Sequence, residues 1–135
     1  MKVPSSGQDG AISGEQIAHF RHELLTPLNH ILGLTEIQME EAANTGIQDY
    51  VPALAEINAG GRGLLGIIEK ELVPLSRSSD LERLSVRLQS EAGRTLAQSR
   101  KLAEQVRAIS PDAAADVDLV SSAVEKLISI SREIA

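Results

Sequence analysis

The sequence predicts an all-α protein, an antiparallel up-down four-helix bundle made of two helical hairpins, and three observations predict it. Apolar residues recur at three- and four-residue steps over four long stretches. Each stretch is bounded by capping residues, Gly or Pro. The 135-residue chain is 42% hydrophobic with one Phe, one Tyr and no Trp, so its core must be built from Leu, Ile, Val and Ala, a composition that suits helices. Four helices of about 20 to 30 residues joined by short loops pack most simply as antiparallel neighbours. A chain of this length makes one domain, or two packed hairpins.

Met1 to Ile12 is rich in Gly, Ser and Gln and has no periodicity, so a flexible leader is expected over 1–12. The first helix starts at Ser13, where Ser13-Gly14-Glu15-Gln16 fits the capping box: the Ser hydroxyl and the Gln side chain reciprocally satisfy free backbone groups. Ile17, Leu24, Leu28, Ile31 and Leu34 mark its buried face. It should end near Asn44-Thr45-Gly46, where Asn and Gly tolerate a left-handed backbone.

The second helix is expected from about Asp49, with Pro52 in its first turn, where a missing N–H does no harm. Val51, Leu54, Ile57, Gly61, Leu64, Ile68 and Leu72 form its seam. The run Ala59-Gly60-Gly61-Arg62-Gly63 is odd, since each interior Gly costs a helix about 1 kcal/mol relative to Ala. It implies close approach of a neighbouring helix or of a docking partner. No Gly-Lys-Ser/Thr follows, so it is not a phosphate-binding loop.

Leu72-Val73-Pro74 ends the first hairpin, and residues 76–80 make a short polar connection. Ser79-Asp80-Leu81-Glu82 reads as a second capping box opening the third helix, with Leu81, Leu84, Leu88, Thr95, Leu102, Val106 and Ile109 inward. Ser110-Pro111 reads as cap and first position of the fourth, with Val117, Val120, Val124, Leu127, Ile130 and Ile134 inward. Sliding the chain by 68 residues lays His22-Glu23 over Ser90-Glu91, a faint match of the kind that shared heptad spacing produces.

The net charge of −6 is uneven: Arg21, Arg62 and Lys70 face nine carboxylates over residues 13–73, whereas 74–135 is balanced. An acidic half without interleaved aromatics argues against nucleic acid as a partner. The chain has no Cys, no apolar run long enough to cross a bilayer and no signal-like start, so a cytoplasmic location and no membrane contact are expected.

The chemistry concentrates at Phe20-Arg21-His22-Glu23-Leu24-Leu25-Thr26-Pro27-Leu28-Asn29. On a helix His22, Thr26, Asn29 and Gly33 share a stripe distinct from the Leu24, Leu28, Ile31 seam, so the imidazole should face solvent. A neutral imidazole has one nitrogen free to attack phosphorus while the other bears a proton. Glu23 could accept that proton, and Arg21 or a partner's cation could neutralise the product. Pro27 lacks an N–H and crowds the Glu23 carbonyl, which should bend the helix beside His22. His19 and His30 read as ordinary surface histidines; His19 and His22 with Glu15 and Glu23 permit a weak metal site, but without a fixed third ligand none is expected.

This run resembles the H-box of sensor histidine kinases. The likeness continues through Asn29-His30-Ile31-Leu32-Gly33-Leu34, Ala55-Glu56-Ile57-Asn58 and Leu64-Leu65-Gly66-Ile67-Ile68, covering residues 13–73, the dimerisation and histidine-phosphotransfer hairpin of that family. The resemblance implies that His22 is the phosphoacceptor, that Glu23 is the general base, and that Thr26 orients water for dephosphorylation of the partner. It implies partner contacts at Arg21, Leu25, Asn29 and Gly33; Leu25 stands where the family commonly has Arg or Lys, a departure that bears on those contacts.

Nothing after Pro74 resembles the family's ATP-binding domain, so the chain should be unable to phosphorylate itself from ATP, and whether it counts as an enzyme of the phosphotransferase type stays open. The favoured reading is a histidine phosphotransfer module of two-component signalling, with His22 exchanging a phosphoryl group with the aspartate of a response-regulator receiver domain or accepting one from a histidine kinase in trans. It needs no cofactor of its own; magnesium is expected on the receiver. Two alternatives are a dimerisation and phosphoacceptor fragment of a larger histidine kinase, and a non-catalytic bundle that binds receivers. One chain has enough helices to complete the bundle, with 80–135 as the second hairpin; a homodimer is the rival.

Overall fold

Each helix begins and ends where side chains or neighbouring backbone can take up its loose polar groups, and the computed structural model, which describes residues 10–134, shows how. Helix α1 spans Gly14–Thr45. Ser13 caps it as expected: Gln16 N donates to Ser13 Oγ at 3.1 Å, and Ser13 N donates to Gln16 Oε1 at 3.0 Å. It stops at Gly46, which has φ 77° and donates its N–H to the Ala42 carbonyl, a left-handed turn that strains any residue with a Cβ.

A single 3-10 turn, Gln48–Tyr50, leads into α2, Val51–Ile67, with Pro52 in its first turn. The chain then continues as a π segment, Ile68–Leu72, which local propensity gave no sign of. Its physical role follows from the spacing of the core residues. Leu64, Ile68 and Leu72 are all fully buried, yet steps of four overshoot a 3.6-residue turn and drift around the helix. A wider turn closed by i→i+5 bonds cancels that drift and keeps all three on one face.

Helix α3 spans Ser78–Arg107, and here the sequence expectation needs correcting. Ser79 does not cap it; the cap position is Arg77, and Asp80 pairs with Arg83 instead. The reason is long-range. Gly10–Ile12 lies antiparallel beside residues 76–78, with Ser78 N donating to Gly10 O at 2.9 Å, Ile12 N to Ser76 O at 3.0 Å, and Gly10 N to Ser78 Oγ at 3.0 Å. Backbone from the segment before α1 does the work expected of a capping side chain. The same pairing corrects the leader's boundary, since Gly10–Ile12 is tied down and Ile12 is buried; residues 1–9 of that leader lie outside the described residues.

Helix α4 spans Pro111–Glu133, and Ala113 N donates to Ser110 Oγ at 3.2 Å, as the Ser-Pro signal predicts. The expected inward residues of α4 are all buried. Ile109 is not: it falls beyond the end of α3, in the turn before α4, and is 48% exposed. Leu34 and Val51 are half-buried, while Phe20, Pro27, Thr35 and Gln38 join the interior.

The four helices form a four-helix bundle in which α1 packs on α2, α2 on α3, α3 on α4, and α4 back on α1. Polar contacts pin each seam. Asn58 Nδ2 of α2 donates to Thr35 Oγ1 of α1 at 2.9 Å, and Arg62 Nε, on α2 itself, holds Asn58 by donating to its Oδ1 at 2.9 Å. Ser99 and Ser121 hydroxyls meet at 2.7 Å between α3 and α4.

The glycine run of α2 serves neighbouring helices. A Cβ on Gly60 would lie 2.5 Å from Thr95 Oγ1 of α3, and one on Gly61 would lie 2.9 Å from Leu32 Cδ2 of α1; at Gly63 it would meet nothing within 4 Å. Substitutions should therefore differ in sign. Gly60→Ala is expected to cost about 1–3 kcal/mol through overpacking, because Thr95 is buried and its hydroxyl is bonded to the Glu91 carbonyl, and Gly61→Ala should cost less, because the half-buried Leu32 meets the new methyl with the flexible end of its side chain. Gly63→Ala should gain up to about 1 kcal/mol from helix propensity. Urea unfolding midpoints of the three variants measure this directly.

Candidate functional site

Two turns into α1 the helix carries the sequence's main candidate outward. Leu24, Leu28 and Ile31 are fully buried, while His22, Thr26 and Asn29 on the other stripe are exposed and Gly33 is half-buried. The 100° between successive helical residues makes this division, so the seam that anchors α1 also fixes which way the imidazole points. The ring of His22 is open to a second molecule.

The neighbours of His22 have defined partners. Glu23 Oε1 lies 3.1 Å from His19 Nε2, one helical turn back, both side chains about two-fifths exposed. His19, which matches no motif position, is thus the residue that holds the candidate base. Thr26 Oγ1 donates to the His22 carbonyl at 3.2 Å, parking the hydroxyl against the turn that carries the imidazole. Arg21 Nη2 donates to Glu69 Oε1 at 2.6 Å, tying α1 to the π segment after α2. Pro27 is buried, and α1 runs unbroken through it from Gly14 to Thr45.

An open groove of about 1010 Å³ runs beside His22 between α1 and α4. His22, Thr26 and His30 line its α1 wall at successive four-residue steps, and Ser122, Lys126 and Ser129 line the wall on α4. Pro27, Leu34, Ala123 and Ile130 supply its apolar surface, and Glu23 and Glu133 stand at it as the two carboxylates. The groove gathers His22, Glu23 and Thr26, the three residues expected to do chemistry. It does not gather Arg21, Leu25, Asn29 or Gly33, the expected partner contacts: Leu25 packs half-buried against the core, and Arg21 is taken by Glu69.

Two lining residues were not anticipated. His30 stands eight residues after His22, two turns along the same stripe, so its place on that wall was legible from spacing alone. Lys126 belongs to α4, and only the packing of α4 on α1 brings it here. Among the described residues no three His, Cys, Asp or Glu side chains are grouped to hold a metal ion, so the weak set around His19 and His22 does not assemble.

No protein-family model matches the chain, and neither curated proteins nor solved structures yield a match to it. The likeness to the H-box therefore rests on the residues of this chain and on where its helices place them.

Proposed function

We propose that this chain is a histidine phosphotransfer module of two-component signalling, in which the imidazole of His22 exchanges a phosphoryl group with the aspartate of a response-regulator receiver domain. The observation that carries the reading is the exposure of His22, within an H-box-like run, on the wall of an open groove of about 1010 Å³. The bundle it sits on is read as an up-down path of two hairpins. Pairings between opposite helix ends support that path: Arg21 with Glu69, Arg87 with Glu71, Arg107 with Asp118, and Gln38 with the Ala113 carbonyl.

In the transfer, the unprotonated ring nitrogen of His22 attacks the phosphorus of the receiver's aspartyl phosphate. The P–O bond to the carboxylate breaks and the aspartate leaves with the electron pair, so a P–N bond replaces a P–O bond without any change of redox state. The return transfer is the same displacement reversed. Catalysis rests on placing the two groups in line and on charge supplied around the phosphoryl group, with magnesium held by the receiver. Glu23 holds His19 through Oε1 and keeps Oε2 to take up the ring proton, and Thr26, whose hydroxyl donates to the His22 carbonyl, keeps its lone pairs to accept from an attacking water.

The test is transfer from acetyl-phosphate-charged receivers to the wild-type chain and to His22→Ala. Acid-labile label on the wild type that disappears in His22→Ala is expected. Wild-type chain that stays unlabelled by every receiver and by kinases supplied in trans would sink the reading. A second reading, a bundle that binds receivers without chemistry, is favoured by the pairing of Glu23 with His19. It predicts receiver affinity that His22→Ala leaves unchanged together with no label.

A further inference from the structure

The wall opposite His22 carries a cation with no partner of its own. Lys126 lies exposed on α4 and lines the groove, and among the described residues no carboxylate pairs with it. Arg21, Arg100 and Arg107 are engaged with Glu69, Glu125 and Asp118, and Arg132, the other cation of α4, does not line the groove. Of the two carboxylates at the groove, Glu23 is turned to His19 and Glu133 lies near the end of α4.

The register of the two helices puts Lys126 close to the level of the imidazole along the groove. Gln38 Nε2 donates to the Ala113 carbonyl at 3.3 Å, which sets the far half of α1 beside the first turn of α4. Counting from Gln38 back to His22, and the same number of residues forward from Ala113, arrives at Ser129, itself part of the groove wall. Lys126 is three residues short of that level, an axial offset of roughly 4–5 Å at 1.5 Å per residue. Its flexible four-carbon stem spans such an offset.

A phosphoryl group on the ring brings close to two negative charges to a half that is already acidic. We infer that Lys126 is the cation of the phosphoryl site, its ammonium holding the phosphoryl group carried by His22, so that the second hairpin contributes to the site as well as to the bundle. The inference rests on the phosphotransfer reading. It assigns to Lys126 the neutralising role that spacing alone suggested for Arg21.

The experiment uses the full chain with phosphoramidate as a small donor, which removes any contribution from a receiver. The His22 ring nitrogen attacks phosphorus, the P–N bond of the donor breaks, and ammonia leaves and takes up the proton from the phosphorylated ring. Formation and decay of phosphohistidine are followed by phosphorus NMR for wild type, Lys126→Arg, Lys126→Ala and Lys126→Glu, with Lys101→Ala on α3 as a surface-charge control. Formation should slow about three- to ten-fold in Lys126→Ala, the scale of one partly exposed charge interaction, and further in Lys126→Glu. Lys126→Arg should restore it, Lys101→Ala should match wild type, and thermal midpoints should not move. Wild-type rates in both Lys126→Ala and Lys126→Glu would overturn the inference, as would an equal loss in Lys101→Ala. Absence of phosphohistidine on the wild-type chain is a separate result, which overturns the phosphotransfer reading and this inference with it.

Discussion

Phe20→Ala is expected to cost about 3–5 kcal/mol of unfolding free energy, the largest loss from any single truncation near the site. Phe20 is the only Phe in the chain, is 1% exposed, and lies two residues before His22. Two residues on a helix are about 200° apart, so the ring that anchors α1 points almost opposite to the ring that faces the groove. Burying roughly 200 Å² of aromatic surface at about 25 cal/mol per Å² accounts for the magnitude. A domain of this size holds about 5–15 kcal/mol in all, so the variant should be marginal but not necessarily unfolded. Urea denaturation followed by circular dichroism measures it, with Tyr50→Ala as the comparison. Tyr50 is half-buried, and its truncation should cost clearly less. Equal losses at the two positions would show that the packing of α1 under His22 is not what holds this end of the bundle.

The parts of the fold that were legible in the sequence are those decided within one turn of chain. Ser13 with Gln16, Gly46 and Ser110 with Pro111 each satisfy backbone groups three or four residues away, and all three act as read. The parts that were not legible depend on segments distant in sequence. Ser79 looked like a cap, but Gly10 and Ile12 reach the start of α3 first and supply the hydrogen bonds from backbone. The π segment is imposed by the need to keep Leu64, Ile68 and Leu72 facing one core, a condition that appears only when α2 has something to pack against. The glycine run left two readings open, and the close approach of Thr95 and Leu32 decides for neighbouring helices at Gly60 and Gly61 while leaving Gly63 facing open space.

The candidate site divides in the same way. The outward face of His22 and Thr26 follows from helical periodicity, and the pairing of His19 with Glu23 is an ordinary four-residue step that starts one residue before the H-box-like run. The Arg21–Glu69 pair and the presence of Lys126 opposite His22 join residues 48 and 104 positions apart, and no local pattern encodes them.

Pro27→Ala should raise stability while slowing transfer from His22, a combination that separates the two roles of that residue. A proline inside a helix is about 3 kcal/mol less favourable than Ala, because it removes one hydrogen bond and presses on the carbonyl four residues back, here that of Glu23. Pro27 sits in the middle of an unbroken α1, so the whole of that cost applies. Against it stands the burial of the ring, whose two lost methylenes are worth about 1.6 kcal/mol, with a further term for the space they leave beside Leu34 and Ala123. The helix term is the larger, and the net gain should be roughly 1 kcal/mol, or a rise in Tm of about 4 °C. The restored N–H of residue 27 would bond the Glu23 carbonyl and stiffen the turn that presents His22, Glu23 and Thr26 to the groove. Under the phosphotransfer reading, labelling from charged receivers should then slow although the folded population has grown. A lower Tm would mean that the ring's packing outweighs its cost to the helix. Higher stability with unchanged transfer would mean that the hydrogen bond missing at Pro27 contributes nothing to docking, and that the residue is held there for the shape of the groove's apolar surface alone.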